Sequence, residues 1–128
     1  MNLNYAHLCE HAFISESGVP SFMGVFGGIR ARSLPAFRQN TAVVLNIDPE
    51  DTNKHIVRIE LKSPKGQIVK KQDNSEIGPI DAVGQSLGYL TNFKDLKFEE
   101  AGLYSFEIFI DDKKLAELKF NLEIAENS

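Results

Sequence analysis

The chain has 128 residues, enough for one domain that buries a hydrophobic core without disulfides or structural metals. Its formal net charge is −4, with 14 Lys and Arg against 18 Asp and Glu, which argues against nucleic acids and anionic membranes as partners. The single cysteine excludes an intramolecular disulfide, and the N-terminus has neither a basic n-region nor a long apolar run. We therefore expect one domain over residues 1–128, a cytoplasmic location, and no contact with nucleic acid or membrane.

Short runs rich in Val, Ile, Phe and Tyr alternate with clusters of Gly, Pro, Asn and Asp along the chain. This punctuation is typical of β-strands joined by turns. It predicts eight strands, at residues 5–15, 22–31, 41–47, 55–62, 67–71, 87–93, 103–110 and 115–124. Between residues 76 and 88, three glycines and a proline leave room for no more than a single helical turn.

Four of these strands have apolar residues at alternate positions, which places one face of each strand in the core. The predicted inward residues are Val43, Leu45, Ile47, Val57, Ile59, Leu61, Tyr104, Phe106, Ile108, Ile110, Leu118, Phe120, Leu122 and Ile124. A sheet with one apolar face needs a second layer to cover it. The sequence therefore predicts an all-β fold, a two-sheet antiparallel β-sandwich of seven or eight strands.

Two turns are predicted from the chemistry of their residues. In residues 63–66, Pro64 sets φ and Gly66 permits a positive φ, which favours a hairpin between the flanking strands. Residues 110–113 contain Asp111 and Asp112 between two alternating runs, and aspartate tolerates hairpin turns. Both pairs of flanking strands are therefore expected to lie side by side.

The segment FKDLKFEEAGLYSFEI resembles the corner before the sixth strand of immunoglobulin-like sandwiches. The matching residues are Leu96, Phe98, Glu99, Glu100, Gly102 and Tyr104. The resemblance implies that the Tyr104 hydroxyl turns back to hydrogen-bond nearby backbone. It also implies that Phe106 occupies the place of the second cysteine in disulfide-bonded immunoglobulin domains, and it concerns the fold alone.

A broader resemblance covers most of the chain. The chain is similar to a family of small bacterial β-sandwich proteins of unknown function in the order of four segments. These are LCEHAFIS, a second strand with Gly24 and Phe26, the proline-bearing loop at residues 34–37 and the closing hairpin at 102–122. This resemblance implies architecture and no particular chemistry.

The opening stretch AHLCEHAF would place His7, Cys9 and His11 on one face of a strand. Zinc and copper bind His nitrogen and Cys sulfur at about 2.0–2.3 Å, so the ligands must converge. His7 and His11 would lie roughly 13 Å apart on a regular strand, so at most two of the three residues share an ion. The candidate metal ligands are therefore His7, Cys9 and the remaining histidine, His55. The competing interpretation is a packed strand with Tyr5, Cys9 and Phe13 facing inward.

Two other patterns suggest sites, and each has a simpler explanation. The glycine-rich residues 24–28 lack the following helix and the Lys-Ser/Thr pair of a phosphate-binding loop, so they indicate a strand with a bulge or close approach. Loop carboxylates such as Asp48, Asp51 and Asp111 could bind calcium, but EF-hand spacing is absent. Aspartate is common in solvated turns for local reasons, so a turn is the simpler interpretation.

The region of residues 22–37 holds more large apolar side chains than one face of one strand can bury. We predict an interface formed by Phe22, Met23, Phe26 and Phe37. No G-x-S-x-G motif or other catalytic set is present in the sequence, so we expect neither an enzyme nor a cofactor. The leading hypothesis is a non-catalytic binding or assembly module that associates with itself or another protein. The alternative is a metal- or small-ligand-binding sandwich that uses His7, Cys9 and His55.

Overall fold

The computed structural model describes residues 1–14 and 20–125. These residues form ten strands: β1 (Asn2–Ile14), β2 (Pro20–Val25), β3 (Gly28–Ala31), β4 (Ala36–Asp48), β5 (His55–Lys62), β6 (Ile68–Lys71), β7 (Ser75–Ile77), β8 (Leu87–Phe98), β9 (Gly102–Ile110) and β10 (Lys113–Ile124). One sheet has the order β2-β1-β4-β8, and the other has the order β3-β10-β9-β5-β6, with β7 also paired to β5. The predicted two-sheet β-sandwich is confirmed. Its strand pairs are antiparallel except that β3 runs parallel to β10. Within the described ranges, no helix is long and apolar enough to cross a membrane.

The core lies between the two sheets, where the alternation of the sequence placed it. All the predicted inward residues are buried except Leu118, which is half-buried, and Ile124, which is exposed. Phe120 on β10 is central, because its ring stacks on Tyr104 at a centroid distance of 5.4 Å and meets the ring of Phe98 edge-on at 5.8 Å. Aromatic pairs in these geometries add stabilisation beyond the apolar area that they bury.

The predicted tyrosine corner is confirmed. The Tyr104 side chain is buried, and its hydroxyl donates a hydrogen bond of 2.6 Å to the backbone carbonyl of Glu100. Burial raises the pKa of this hydroxyl, which stays neutral and able to donate. Phe106 is fully buried, as expected at the position of an immunoglobulin cysteine.

Both predicted hairpin turns are present. Gly66 adopts φ +82°, and its N–H donates to the carbonyl of Ser63. Asp111 and Asp112 adopt φ of 50° and 64°, the pair of positive values that a two-residue turn between twisted strands requires.

The observed strands differ from the predicted ones in several places. Strand β1 begins at Asn2 rather than at residue 5, β4 begins at Ala36 rather than at 41, and β8 ends at Phe98 rather than at 93. Residues 22–31 do not form one strand, because the chain leaves the first sheet at Phe26 and pairs as β3 with the second sheet. The short strand β7 was not predicted, since three residues give too little alternation to detect. Residues 78–86 form a turn closed by a hydrogen bond from the Gln85 N–H to the Ala82 carbonyl, without a helix. The predicted end of the first strand, residue 15, lies outside the described residues.

Candidate functional site

The far half of the β1–β2 hairpin folds back over the outer face of the four-stranded sheet. Beyond Cys9, the described part of β1 pairs with β2 and no longer with β4. Ile14, near the hairpin end, lines a cleft of about 250 Å³ together with Val44 on β4 and Leu90 on β8. This sheet is therefore covered on both sides, and Val44 on its outer face is as buried as the core residues of its inner face.

Aromatic packing holds the hairpin against the sheet. The ring of Phe22 lies 6.3 Å from that of Tyr5 and 5.7 Å from that of His7, and the Tyr5 and His7 rings stack at 5.5 Å. Cys9 is fully buried in the same layer beside Ala12, and burial raises the pKa of its thiol. A buried, protonated thiol behaves as a small apolar side chain, so this layer is a packing surface.

The opposite side of the hairpin is apolar and exposed to solvent. Met23 pairs with His11, and Phe13 lies two residues from His11 on β1, so Phe13 and Met23 share one face. Val25 follows Met23 on β2 beyond Gly24, which has a positive φ. The exposed fractions of Phe13, Met23 and Val25 are 53%, 63% and 56%. These three residues are called the hairpin face below. Exposed clusters of large apolar side chains mark interaction surfaces in soluble proteins.

Strand β2 is also the edge strand of its sheet, and it carries no charged residue. Every other described edge strand carries at least one charged residue. These residues are Arg30 on β3, Lys70 and Lys71 on β6, Glu76 on β7, and Lys94, Asp95 and Lys97 on β8. Proteins place charges on sheet edges to prevent pairing with other chains. Among the described edge strands, β2 is therefore the one without a charge against strand addition, and Pro20 at its start protects only that end.

The four residues predicted as an interface occupy different environments. Met23 is 63% exposed on the hairpin face, and Phe22 is half-buried on the opposite side of the hairpin. Phe26 is half-buried against the core, with the guanidinium carbon of Arg38 4.1 Å above its ring. Phe37 is 70% exposed, but it lies on β4 beyond the part that pairs with β1. The structure thus separates Met23 and Phe37, the exposed members, from the two packed phenylalanines.

The three candidate metal ligands do not meet. His7 and Cys9 lie on β1 in the four-stranded sheet, whereas His55 begins β5 in the other sheet. Cys9 is fully buried in the apolar layer under the hairpin. Among residues 1–14 and 20–125, no group of three or more His, Cys, Asp or Glu residues is arranged to hold a metal ion. The structure therefore does not bring His55 together with His7 and Cys9.

His55 instead lies between two carboxylates. Its Nδ1 is 2.5 Å from Oδ2 of Asp111, and its Nε2 is 2.8 Å from Oδ1 of Asp51. The Asp111 hydrogen bond raises the pKa of His55, the Asp51 hydrogen bond raises it further, and burial opposes both. The same contact lowers the pKa of Asp111. With both ring nitrogens facing carboxylates, the charged imidazolium is the form that satisfies every contact.

Sequence reasoning identified these carboxylates only as solvated turn residues. Asp51 and Asp111 belong to loops sixty positions apart, and strand pairing brings the two loops to the same end of the sandwich. Asp111 also binds the N–H of Ile56 through its other oxygen, so it fastens the start of β5 to the β9–β10 turn. No local pattern in the sequence contains this contact, because it depends on long-range strand register.

Comparisons with known proteins found similar solved structures and a matching family model. An immunoglobulin-like protein from Pseudomonas aeruginosa is similar, with 14% identity, a TM-score of 0.46, and coverage of 95% of each chain. An alkylpurine DNA glycosylase from Pseudomonas fluorescens, bound to DNA containing an abasic-site analogue, matches with 13% identity and a TM-score of 0.44. That match covers 92% of this chain, which spans only 30% of the glycosylase chain. No curated protein matches the sequence. The model of a family of unknown function (DUF6941) matches residues 4–123, and the chain therefore belongs to that family.

Proposed function

We propose that the protein is a non-catalytic assembly module that associates with a second copy of itself through the hairpin face and the adjoining edge of β2. The observation that carries this proposal is the coincidence of two features on one strand. Met23 and Val25 are more than half exposed, and β2 is the described edge strand that lacks charge. Either feature alone is common, whereas together they leave residues 21–25 with exposed apolar side chains and no charge that would oppose pairing.

A second copy is the partner that fits this edge best. An uncharged, apolar strand pairs well with another strand of the same kind and gains nothing from a charged partner. Antiparallel pairing of β2 with β2 about a two-fold axis would bring Met23 and Val25 of the two copies together. A closed two-fold dimer would remove both free β2 edges at once, which an open chain of copies does not do.

The chemistry of the described titratable groups supports a role without catalysis. His55 has both ring nitrogens committed to carboxylates, so it is not free to accept a proton from a substrate. Cys9 is fully buried, and its thiol pKa is raised, which is the opposite of the low pKa that a nucleophilic cysteine needs.

The proposal is tested by sedimentation equilibrium of the wild-type chain and of Met23→Lys over a range of concentrations. We expect a dimer for wild type and a shift towards monomer for Met23→Lys, with an unchanged β-rich circular dichroism spectrum. Ile68→Lys is the matched control, because Ile68 is 53% exposed on another edge strand, β6. A wild-type chain that stays monomeric throughout, or equal dissociation in both variants, would remove the proposal.

A further inference from the structure

Three of the four arginines in the chain line a single cleft. The cleft has a volume of about 310 Å³ and lies between β3, the start of β4 and the segment that joins them. Arg30, Arg32 and Arg38 contribute to its wall. This concentration of guanidinium groups is notable in a chain whose net charge is −4.

These arginines have weaker ionic partners than the fourth arginine. Arg58, far from the cleft, has its Nη1 2.7 Å from Oδ1 of Asp112. In the cleft, Nη2 of Arg38 lies 3.8 Å from Oε1 of Glu10, and Nε of Arg30 lies 4.0 Å from Oε2 of Glu123. Arg32 has no ion-pair partner in the described part of the chain. The cleft therefore retains positive charge with spare hydrogen-bond donors, the arrangement that binds carboxylates and phosphates.

Apolar and backbone features lie beside this charge. Phe37 lines the same cleft and is 70% exposed, and Leu34, in the joining segment, is 39% exposed. Strand β3 is an edge strand that, as far as the structure describes the chain, pairs only with β10. Arg30 lies on β3, and Arg32 follows directly after the end of this strand, in the segment that joins β3 to β4.

We propose that this cleft binds an acidic, extended peptide segment of a partner protein, which lies along β3 with carboxylates facing Arg30 and Arg32 and an apolar side chain against Phe37. Charge complementarity selects the acidic partner, and the free edge of β3 offers backbone hydrogen bonds that a small anion could not use. Nucleic acid fits less well, because its phosphates require a broad basic surface that this acidic chain does not have. This surface is separate from the hairpin face, so the two proposals stand or fall independently.

The test uses a phage library of random peptides, selected against the full chain and against the double variant Arg30→Gln/Arg32→Gln. We expect selection by the wild-type chain to enrich peptides with two or more Asp or Glu residues and the double variant to lose that enrichment. Both arginines are exposed, so the variant should fold normally, which circular dichroism checks. The best peptide is then titrated into isotopically labelled protein, and the amide shifts of residues 29–38 should move.

Affinity of that peptide should fall by about tenfold or more in the double variant, because two charge-assisted contacts are lost. It should be unchanged in Arg58→Gln, the control arginine that already has a close partner. Selection without an acidic bias, enrichment that persists in the double variant, or equal weakening by Arg58→Gln would overturn the proposal. Displacement of the peptide by an equal concentration of inorganic phosphate would also overturn it, since the cleft would then be a site for small anions.

Discussion

The Tyr104 hydroxyl offers the sharpest test of the corner motif. In Tyr104→Phe the ring can keep its packing, which places it 5.0 Å from the ring of Phe98 and 5.4 Å from that of Phe120. The change therefore removes one hydrogen bond, and it leaves no cavity larger than an oxygen atom. A hydrogen bond contributes a net amount of about 1 kcal/mol to the free energy of unfolding. If the carbonyl is left buried without a partner, the loss is about 1–3 kcal/mol.

The position of the acceptor narrows this range. Glu100 is half-buried, so water can partly replace the lost donor at its carbonyl. We expect Tyr104→Phe to lower the free energy of unfolding by about 1–2 kcal/mol. Removing the whole ring in Tyr104→Ala should lower it by about 3–5 kcal/mol, because a large cavity then forms.

The assay is urea unfolding followed by far-ultraviolet circular dichroism, with the midpoint and the slope fitted separately. An unchanged slope with a lower midpoint would show a change of stability alone. Tyr89→Phe is the control, because the Tyr89 hydroxyl bonds only the side chain of Gln72, which retains Ser75 as an alternative partner. A Tyr104→Phe midpoint equal to wild type, or a loss no larger than that of Tyr89→Phe, would refute the reasoning.

Two further predictions concern the His55 contacts and the glycine at the start of β9. Because the pKa of His55 is raised in the folded state, its contribution is fully present below the ordinary histidine pKa and is lost as pH rises through the folded value. The pKa of Asp111 is lowered, so its contribution is present above the ordinary aspartate pKa and is lost as pH falls. The difference in unfolding free energy between wild type and His55→Gln should therefore be largest at about pH 5–6 and shrink towards alkaline pH. Urea unfolding at a series of pH values measures this difference. A difference that grows above neutral pH would contradict the prediction. Gly102→Ala should lower stability by about 2 kcal/mol or more, because φ is +132° and the new Cβ would lie 2.9 Å from Cγ of Pro64. Gly66→Ala, which also has a positive φ but meets open space, should lose only about 1 kcal/mol in the same assay, and equal losses would argue against the clash.

Local periodicity accounts for the parts of the fold that the sequence predicted. Strands β5 and β9 alternate cleanly because one face meets the core and the other meets solvent, so Val57 and Phe106 could be assigned inward from their neighbours alone. Strand β4 is different, since Val43 faces the core and Val44 faces the layer under the hairpin. The inward face of β4 was predicted from the sequence, whereas the burial of its outer face depends on the hairpin and is visible only in the tertiary fold.

The candidate site likewise has a part that the sequence predicted and a part that depends on the tertiary fold. The excess of apolar residues in residues 22–37 predicted that some of their side chains are exposed, but it did not single out Met23. The burial of Phe26 did not follow, because it depends on Arg38 stacking above the ring and on the crossing of the chain to the second sheet. The clustering of Arg30, Arg32 and Arg38 likewise depends on how β3 and β4 are placed, although the three residues lie close together in sequence.

The position of β10 bears on how the protein is made. β10 is the last strand in chain order, yet it lies between β3 and β9, and its Phe120 packs on aromatic rings from three other segments. During synthesis on the ribosome, Phe26, Phe98 and Tyr104 emerge well before this ring. The nascent chain must therefore keep an open aromatic surface until residues 113–124 have left the exit tunnel. Chaperones that shield emerging apolar segments would have the most to protect in that interval.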